Sequence, residues 1–302
     1  MAPGARNALL VGAMPAVFVL IWSTGFVVAR YGMPHAPPFG FLAVRYALSI
    51  VCYVLWVLMA RAVWPTQRSQ WLHLAVTGVL MHAGYLGGVW SAVKSGIGAG
   101  SVALIVGLQP VLTALWVSAT GAAADRVGSR QWLGLALGFV GLLLVVGPRL
   151  GSGEVNSLNL GLACFALGAI TIGTLYQKRY VAPCDVRTAS AVQLLAALAV
   201  TLPLALFEAE PVTWHPELIG AMAWSVLVLT LGGGSLLYLL IQRGAATAVT
   251  SLLYLVPPCT AVMAWLLFGE SLALHVLLGL ALTAIGVSLV LRSPRAAAPP
   301  QS

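Results

Sequence analysis

Residues 95–121 read SGIGAGSVALIVGLQPVLTALWVSATG, and residues 243–269 read RGAATAVTSLLYLVPPCTAVMAWLLFG. The second stretch is a diverged copy of the first. At an offset of 148, Gly96 meets Gly244, Leu104 meets Leu252, Pro110 meets Pro258 and Gly121 meets Gly269. The likeness continues at an offset of 145. There Gly134-Leu135-Ala136-Leu137 meets Gly279-Leu280-Ala281-Leu282, and Gly141 meets Gly286. An internal repeat in so apolar a chain points to a two-fold pseudosymmetric membrane protein, an architecture on which many solute carriers are built.

Composition agrees. Hydrophobic residues make up 60% of the chain and charged residues only 7%, against about 25% charged in a soluble domain. A soluble core of this size needs a charged shell that is missing here. The net charge of +8 does not indicate nucleic acid, because the basic residues stand singly between apolar stretches and form no patch.

Cutting the chain at its charges leaves uncharged runs at 9–29, 71–93, 97–124, 131–148, 155–177, 188–207, 218–242, 244–269 and 271–291. Each approaches or exceeds the roughly 18–20 residues that cross a bilayer core. Segment 39–60 is uncharged except for Arg45, which brings the expected spans to ten. The runs are continuously apolar and do not alternate, so they predict helices and not a barrel. The fold class expected is all-α integral membrane.

Lysine and arginine orient these spans. With the N-terminus inside, the inner side holds Arg6, Arg61, Arg68, Arg126, Arg130, Lys178, Arg179, Arg187, Arg243, Arg292 and Arg295, and the outer side only Arg30, Lys94 and Arg149. The acidic segment with Glu208, Glu210 and Glu217 falls outside, and both termini are expected in the cytoplasm. The first apolar run is followed by Arg30-Tyr31, without a small-residue cleavage site in its own apolar region, and reads as a retained helix. Five spans per copy make the two copies enter the membrane in opposite senses. The expected organisation is therefore a first repeat at 9–148, an inverted second repeat at 155–292, and a disordered tail at 293–302. The weak match of Arg30-Tyr31-Gly32-Met33-Pro34 to Arg179-Tyr180-Val181-Ala182-Pro183 has nearly the same offset, 149.

Several motifs carry a resemblance to a known family. They are Ile21-Trp22-Ser23-Thr24-Gly25-Phe26, Phe41-Leu42-Ala43-Val44-Arg45-Tyr46, Leu108-Gln109-Pro110 and Leu267-Phe268-Gly269-Glu270, with Gly279 and Gly286. With ten spans in two inverted sets, the chain resembles the EamA-like branch of the drug/metabolite transporter superfamily. One departure is that Gly121 precedes Ala122, where family members often carry Glu. The resemblance implies a secondary transporter of the bacterial inner membrane, commonly an exporter of amino acids or other small metabolites.

Candidate site residues follow from the cost of burying polar groups in lipid, about 2.5–3.5 kcal/mol for a charge on insertion scales. Arg45 has two readings, a fork for a substrate carboxylate or a structural side chain whose head reaches the interface. His82 is either a proton-coupling group, since imidazole titrates near neutrality, or a hydrogen-bonded packing residue. Glu270 is either a cap at the N-terminus of the last helix, where negative charge is favoured beside free amides, or a proton-coupling group. Pro110 and Pro258 each remove a helix hydrogen bond, and so can kink a helix beside a cavity. The polar and aromatic set Tyr85, Trp90, Gln109 and Tyr238, with Trp22, Ser23, Tyr176 and Tyr254, are the candidates for substrate contact. Gly84-xxx-Gly88 is spaced for close helix packing.

The four cysteines lack CxxC spacing and are expected as free thiols, with no metal site and no cofactor. The partners expected are a small-molecule substrate and the lipid bilayer, with a homodimer as a further expectation. An integral-membrane lipid enzyme would need clustered carboxylates or a nucleophile–base pair, and the acidic residues here are too few and too scattered. Sugar or nucleotide-sugar carriers and cationic drug exporters stay open as substrate classes. A nucleotide sugar would want deep basic groups for its phosphates, and Arg45 alone is available.

Overall fold

Long apolar runs with no polar alternation close their backbone hydrogen bonds within the segment, and so they fold as helices. The computed structural model describes residues 3–120, 129–151, 153–234, 236 and 255–291. α1 spans Pro3–Gly32, α2 Pro38–Ala60 and α3 Arg68–Lys94. α4 (Ala99–Val106) leads through Gly107-Leu108 into α5 (Gln109–Thr120). α6 spans Ser129–Gly151, α7 Ser157–Tyr180, α8 Val186–Leu206 and α9 Pro216–Gly233. α10 spans Val256–Phe268 and α11 Leu274–Leu291. There is no strand among the described residues. The expected tail at 293–302 lies outside them.

Six stretches are long and apolar enough to cross a bilayer: α2, α3, Trp132–Leu150 of α6, α7, α8 and α9. Four shorter apolar helices accompany them, at Ala16–Gly32, Ala99–Thr113, Val256–Phe268 and Leu274–Leu289. Leu55, Leu58, Phe139, Phe165, Leu195 and Leu278 point outward from five different helices. So much exposed apolar surface around a bundle is a lipid-facing surface. The chain is an all-helical, multi-pass membrane protein.

Helix ends are set by local chemistry. Pro38 occupies the first turn of α2, where its missing N–H costs nothing. The amides of Phe39 and Gly40 in that turn donate to the Glu208 carboxylate, at 3.0 and 2.7 Å. Asn156 and Asn159 form a reciprocal capping box at the start of α7. Asp185 caps α8, and hydrogen bonds from the Arg187 side chain hold its carboxyl below the usual carboxylate range. Gly269 ends α10 at φ 67°, a left-handed conformation that favours glycine.

Loops gather at two ends of unlike charge. At the acidic end, Lys94 donates to Glu210 and to the Met33 carbonyl, and the Asn159 side chain donates to the Ser95 carbonyl. At the basic end, Gln70 exchanges hydrogen bonds with the backbone of Ala182, and Thr188 donates to the Val63 carbonyl.

Between helices, van der Waals contact through small residues replaces the hydrophobic effect. α6 and α11 lie together along much of their lengths. A Cβ on Gly279 would come within 2.6 Å of the Gly141 carbonyl oxygen, and one on Gly286 would collide with the Gly134 carbonyl. Gly88 of α3 likewise meets Ala166 of α7, with 2.9 Å for an added Cβ, and Gly84 meets Ala169 at 3.1 Å. The Gly84-xxx-Gly88 spacing therefore serves helix packing. Gly279→Val is expected to destabilise the detergent-purified protein by at least the roughly 1–3 kcal/mol of an overpacked core. Gly147→Ala, where nothing lies within 4 Å of an added Cβ, is expected to leave the unfolding midpoint unchanged or slightly raised. Thermal unfolding of the two variants checks this.

Candidate functional site

A cavity of about 290 Å³ lies between α1, α2 and α3 on one side and α7, α8 and α9 on the other. Its apolar wall comprises Trp22 and Phe26 of α1, Tyr85, Val89 and Trp90 of α3, and Leu229 of α9. Its polar groups are Arg45 and Tyr53 of α2, His82 of α3, Gln177 of α7, Ser190 and Gln193 of α8, and Thr230 of α9. Gln177 and Val186 of the lining neighbour Lys178 and Arg187 in sequence, at the basic end. Toward the acidic end, the Trp90 ring stacks on Phe41 with centroids 4.3 Å apart and backs the wall.

Two of the lining helices are wound unusually at the cavity. α3 is π-helical over Val79–Gly84, and α9 over Trp224–Gly233. π segments loosen the regular hydrogen-bond ladder and recur at functional sites. Tyrosines of α2 meet carbonyls in both. Tyr46 donates to the His82 carbonyl and Tyr53 to the Thr230 carbonyl, each at 2.9 Å. At the repeat offset of 148, His82 and Thr230 are equivalent positions. The Arg45 guanidinium donates from Nε and Nη2 to the Thr230 hydroxyl, at 3.3 and 3.1 Å. That hydroxyl in turn donates to the Ser225 carbonyl at 2.8 Å.

Of the residues expected to contact substrate, Trp22, His82, Tyr85 and Trp90 line this cavity, as does Arg45. Ser23 is fully buried behind the wall and donates to the Val19 carbonyl at 2.7 Å. Gln109 donates to Thr174 of α7 at 3.1 Å. Tyr176 meets His73 at the basic end, at 2.9 Å. None of these last three is in the lining. Tyr238 and Tyr254 lie outside the described residues. Pro110 follows the break between α4 and α5, where the Leu108 amide bonds back three residues to Ile105. Pro258 lies in the first turn of α10 as described, a position that needs no N–H partner. Tyr53, Gln177, Ser190, Gln193 and Thr230 are lining residues the sequence did not single out.

Glu270 caps a helix, but a different one from that expected. Its carboxylate accepts the Ala99 amide at 2.9 Å, at the N-terminus of α4 and not of α11. Arg149 lies 3.8 Å from it and pairs with Glu154 at 2.8 Å, while donating to Ser101. Glu154 also accepts the Gly98 amide at 3.2 Å. This network ties α4, α6 and the loops after α6 and α10 together at the acidic end. Nearby, His35, His215 and Glu217 bring metal-ligating atoms within 4.8 Å of one another. They stand away from the cavity, and His35 and Glu217 already pair at 3.0 Å. The four cysteines are free thiols.

The tyrosine clamps on the π segments can be weighed separately. Tyr46→Phe and Tyr53→Phe keep the ring packing and each remove one donor to a carbonyl of a π segment. Each is expected to cost about 0.5–1.5 kcal/mol and to speed amide exchange within Val79–Gly84 or Trp224–Gly233 respectively. Hydrogen exchange by mass spectrometry reads the location of the effect.

Comparison with known proteins places this geometry. The profile of the EamA-like transporter family matches residues 10–147 and 159–292. A protein of Archaeoglobus fulgidus named only as an uncharacterized transporter is 24% identical, covering 91% of this chain and 94% of its own. The uncharacterized inner membrane transporter YedA of Escherichia coli is 26% identical, covering 93% of this chain and 90% of its own. A Salmonella typhimurium protein named as a probable amino-acid metabolite efflux pump is 24% identical, covering 91% and 93%. One solved crystal structure superposes with a TM-score of 0.64 at 19% identity, over 91% of this chain and 94% of that one, and so shares the fold. With both halves matched, the chain belongs to the EamA-like transporter family.

Proposed function

We propose that this membrane transporter is a secondary carrier that exports amino acids or similar small metabolites, by alternating access to the cavity between its halves. The observation that carries the reading is the cavity itself. It is walled by helices of both halves and extends to Gln177 at the basic end. Ligand sites at the repeat interface are the rule in carriers of this build.

The inverted-repeat reading, with ten spans and halves at 9–148 and 155–292, draws support from the helix contacts. α1 packs on α10 and on α9, and the repeat-equivalent helix α7 packs on α4 and on α3. α2 packs on its own equivalent α8, and α6 on its own equivalent α11. Exchange of the two halves therefore maps these contacts onto one another. The excess of Lys and Arg in the loops of the basic end supports a cytoplasmic location for that end and for both termini, and the naming of YedA as an inner membrane transporter supports an inner-membrane location. The Salmonella relative's name supports amino-acid metabolites as substrates and export as direction.

Reconstituted proteoliposomes test this. Amino acids loaded inside are expected to exchange across the membrane only when the protein is present. Ser190→Trp, which fills the cavity, is expected to reduce the flux to background with little change in unfolding temperature. Full flux through Ser190→Trp would overturn the cavity route.

A further inference from the structure

We infer that the substrate is held by a carboxylate group on Arg45, and that the cavity selects monoanions and zwitterions over cations. The inference rests on the transporter reading above and gives that cavity a substrate class.

Among the described residues, Arg45 is the only formally charged side chain in the lining. A guanidinium carries five N–H donors in a planar fork. Here Nε and Nη2 both spend their hydrogen bonds on one neutral oxygen, that of Thr230. No other hydrogen bond or ion pair reaches it among the described residues, so Nη1 and half of Nη2 have no acceptor among them.

The described acidic residues do not supply the missing counter-charge. The chain has seven acidic residues. Glu154 and Glu270 face Arg149, Asp185 faces Arg187, and Glu210 faces Lys94. Glu217 faces His35, and Glu208 caps α2. Asp125 lies outside the described residues, in the sequence between α5 and α6. Residues 235 and 237–254, also outside them, contain no Asp or Glu. Every acidic side chain that is described is thus engaged at an end of the bundle, and the buried guanidinium has none.

A guanidinium fork fits a carboxylate with two parallel hydrogen bonds. A carboxylate from the substrate would supply both the acceptors and the charge that Arg45 lacks. The aromatic wall of Trp22, Tyr85 and Trp90 suits an apolar body attached to it. A cation would meet Arg45 at close range with no carboxylate to offset the repulsion. A phosphate dianion or a nucleotide sugar would find one positive charge where it needs more. The bridge from Arg45 on α2 to Thr230 on α9 crosses between the halves, so a carboxylate that competes for the same donors acts on the contact the halves share.

The experiment uses purified full-length protein and three probes with one body and different heads: 3-phenylpropionate, 3-phenylpropionamide and 3-phenylpropylamine. The series is repeated with isobutyl and methyl bodies. Binding is read by tryptophan fluorescence and by calorimetry. The carboxylate is expected to bind about tenfold or more tighter than the amide, with the amine weakest. Arg45→Gln is expected to erase the difference between acid and amide, and Arg45→Lys to keep part of it. An amide or amine that binds as well as its acid overturns the inference, as does the absence of carboxylate binding across all three bodies. The wild-type series decides the matter even if Arg45→Gln fails to fold. Proteoliposome flux separates the two readings. Flux of amines or sugars alone would overturn the carboxylate and leave transport standing. Carboxylate binding without flux of any solute would do the reverse.

Discussion

A backbone carbonyl inside a bilayer has no water to accept from, so a helix can depart from regular winding only where another group receives the freed oxygen. This constraint organises the centre of the protein. The π segments of α3 and α9 both border the cavity, and both have a carbonyl met by a tyrosine hydroxyl from α2. The clamped residues, His82 and Thr230, are equivalent under the repeat offset of 148. α2 thus binds one π segment from its own half and one from the other. A helix that holds both loosened segments is well placed to pass a movement of one half to the other.

The few charges of this chain obey the same economy. At the acidic end, carboxylates cap helix N-termini across the bundle: Glu208 on α2, Glu270 on α4 and Glu154 on the Gly98 amide before α4. Each acts on an element distant in sequence, so these caps fasten loops as well as helices. Arg149 draws Glu154 and Glu270 together beside Ser101. The basic end has fewer ties across the bundle among the described residues, and the cavity reaches it at Gln177.

Much of this was legible in the sequence, for identifiable reasons. Uncharged runs marked the helices because only a helix satisfies its own backbone in lipid. Glycines matched between the repeats, such as Gly141 and Gly286, lie where α6 and α11 nearly touch. Trp22, Arg45, His82, Tyr85 and Trp90 stood out as polar or aromatic groups in apolar runs, and all line the cavity. Ser23, Gln109 and Tyr176 shared that signal, but a polar side chain within a helix can also be satisfied by the Val19 carbonyl, by Thr174 or by His73. Composition does not separate the two outcomes. The π segments left no mark, because their winding comes from packing and not from residue type. Glu270 reads locally as a cap for the helix that follows it, and only the fold shows the amide of Ala99 nearer.

The central claim is that the cavity between the halves opens to each side of the membrane in turn. The most direct test is a single cysteine at Ser190 in a protein whose Cys52, Cys164, Cys184 and Cys259 are replaced by alanine. A membrane-impermeant maleimide is added from one side of sealed vesicles of known orientation, and then from the other. The account predicts labelling from both sides, at rates that a transported amino acid changes. Labelling from one side alone, unchanged by any transported solute, would contradict it.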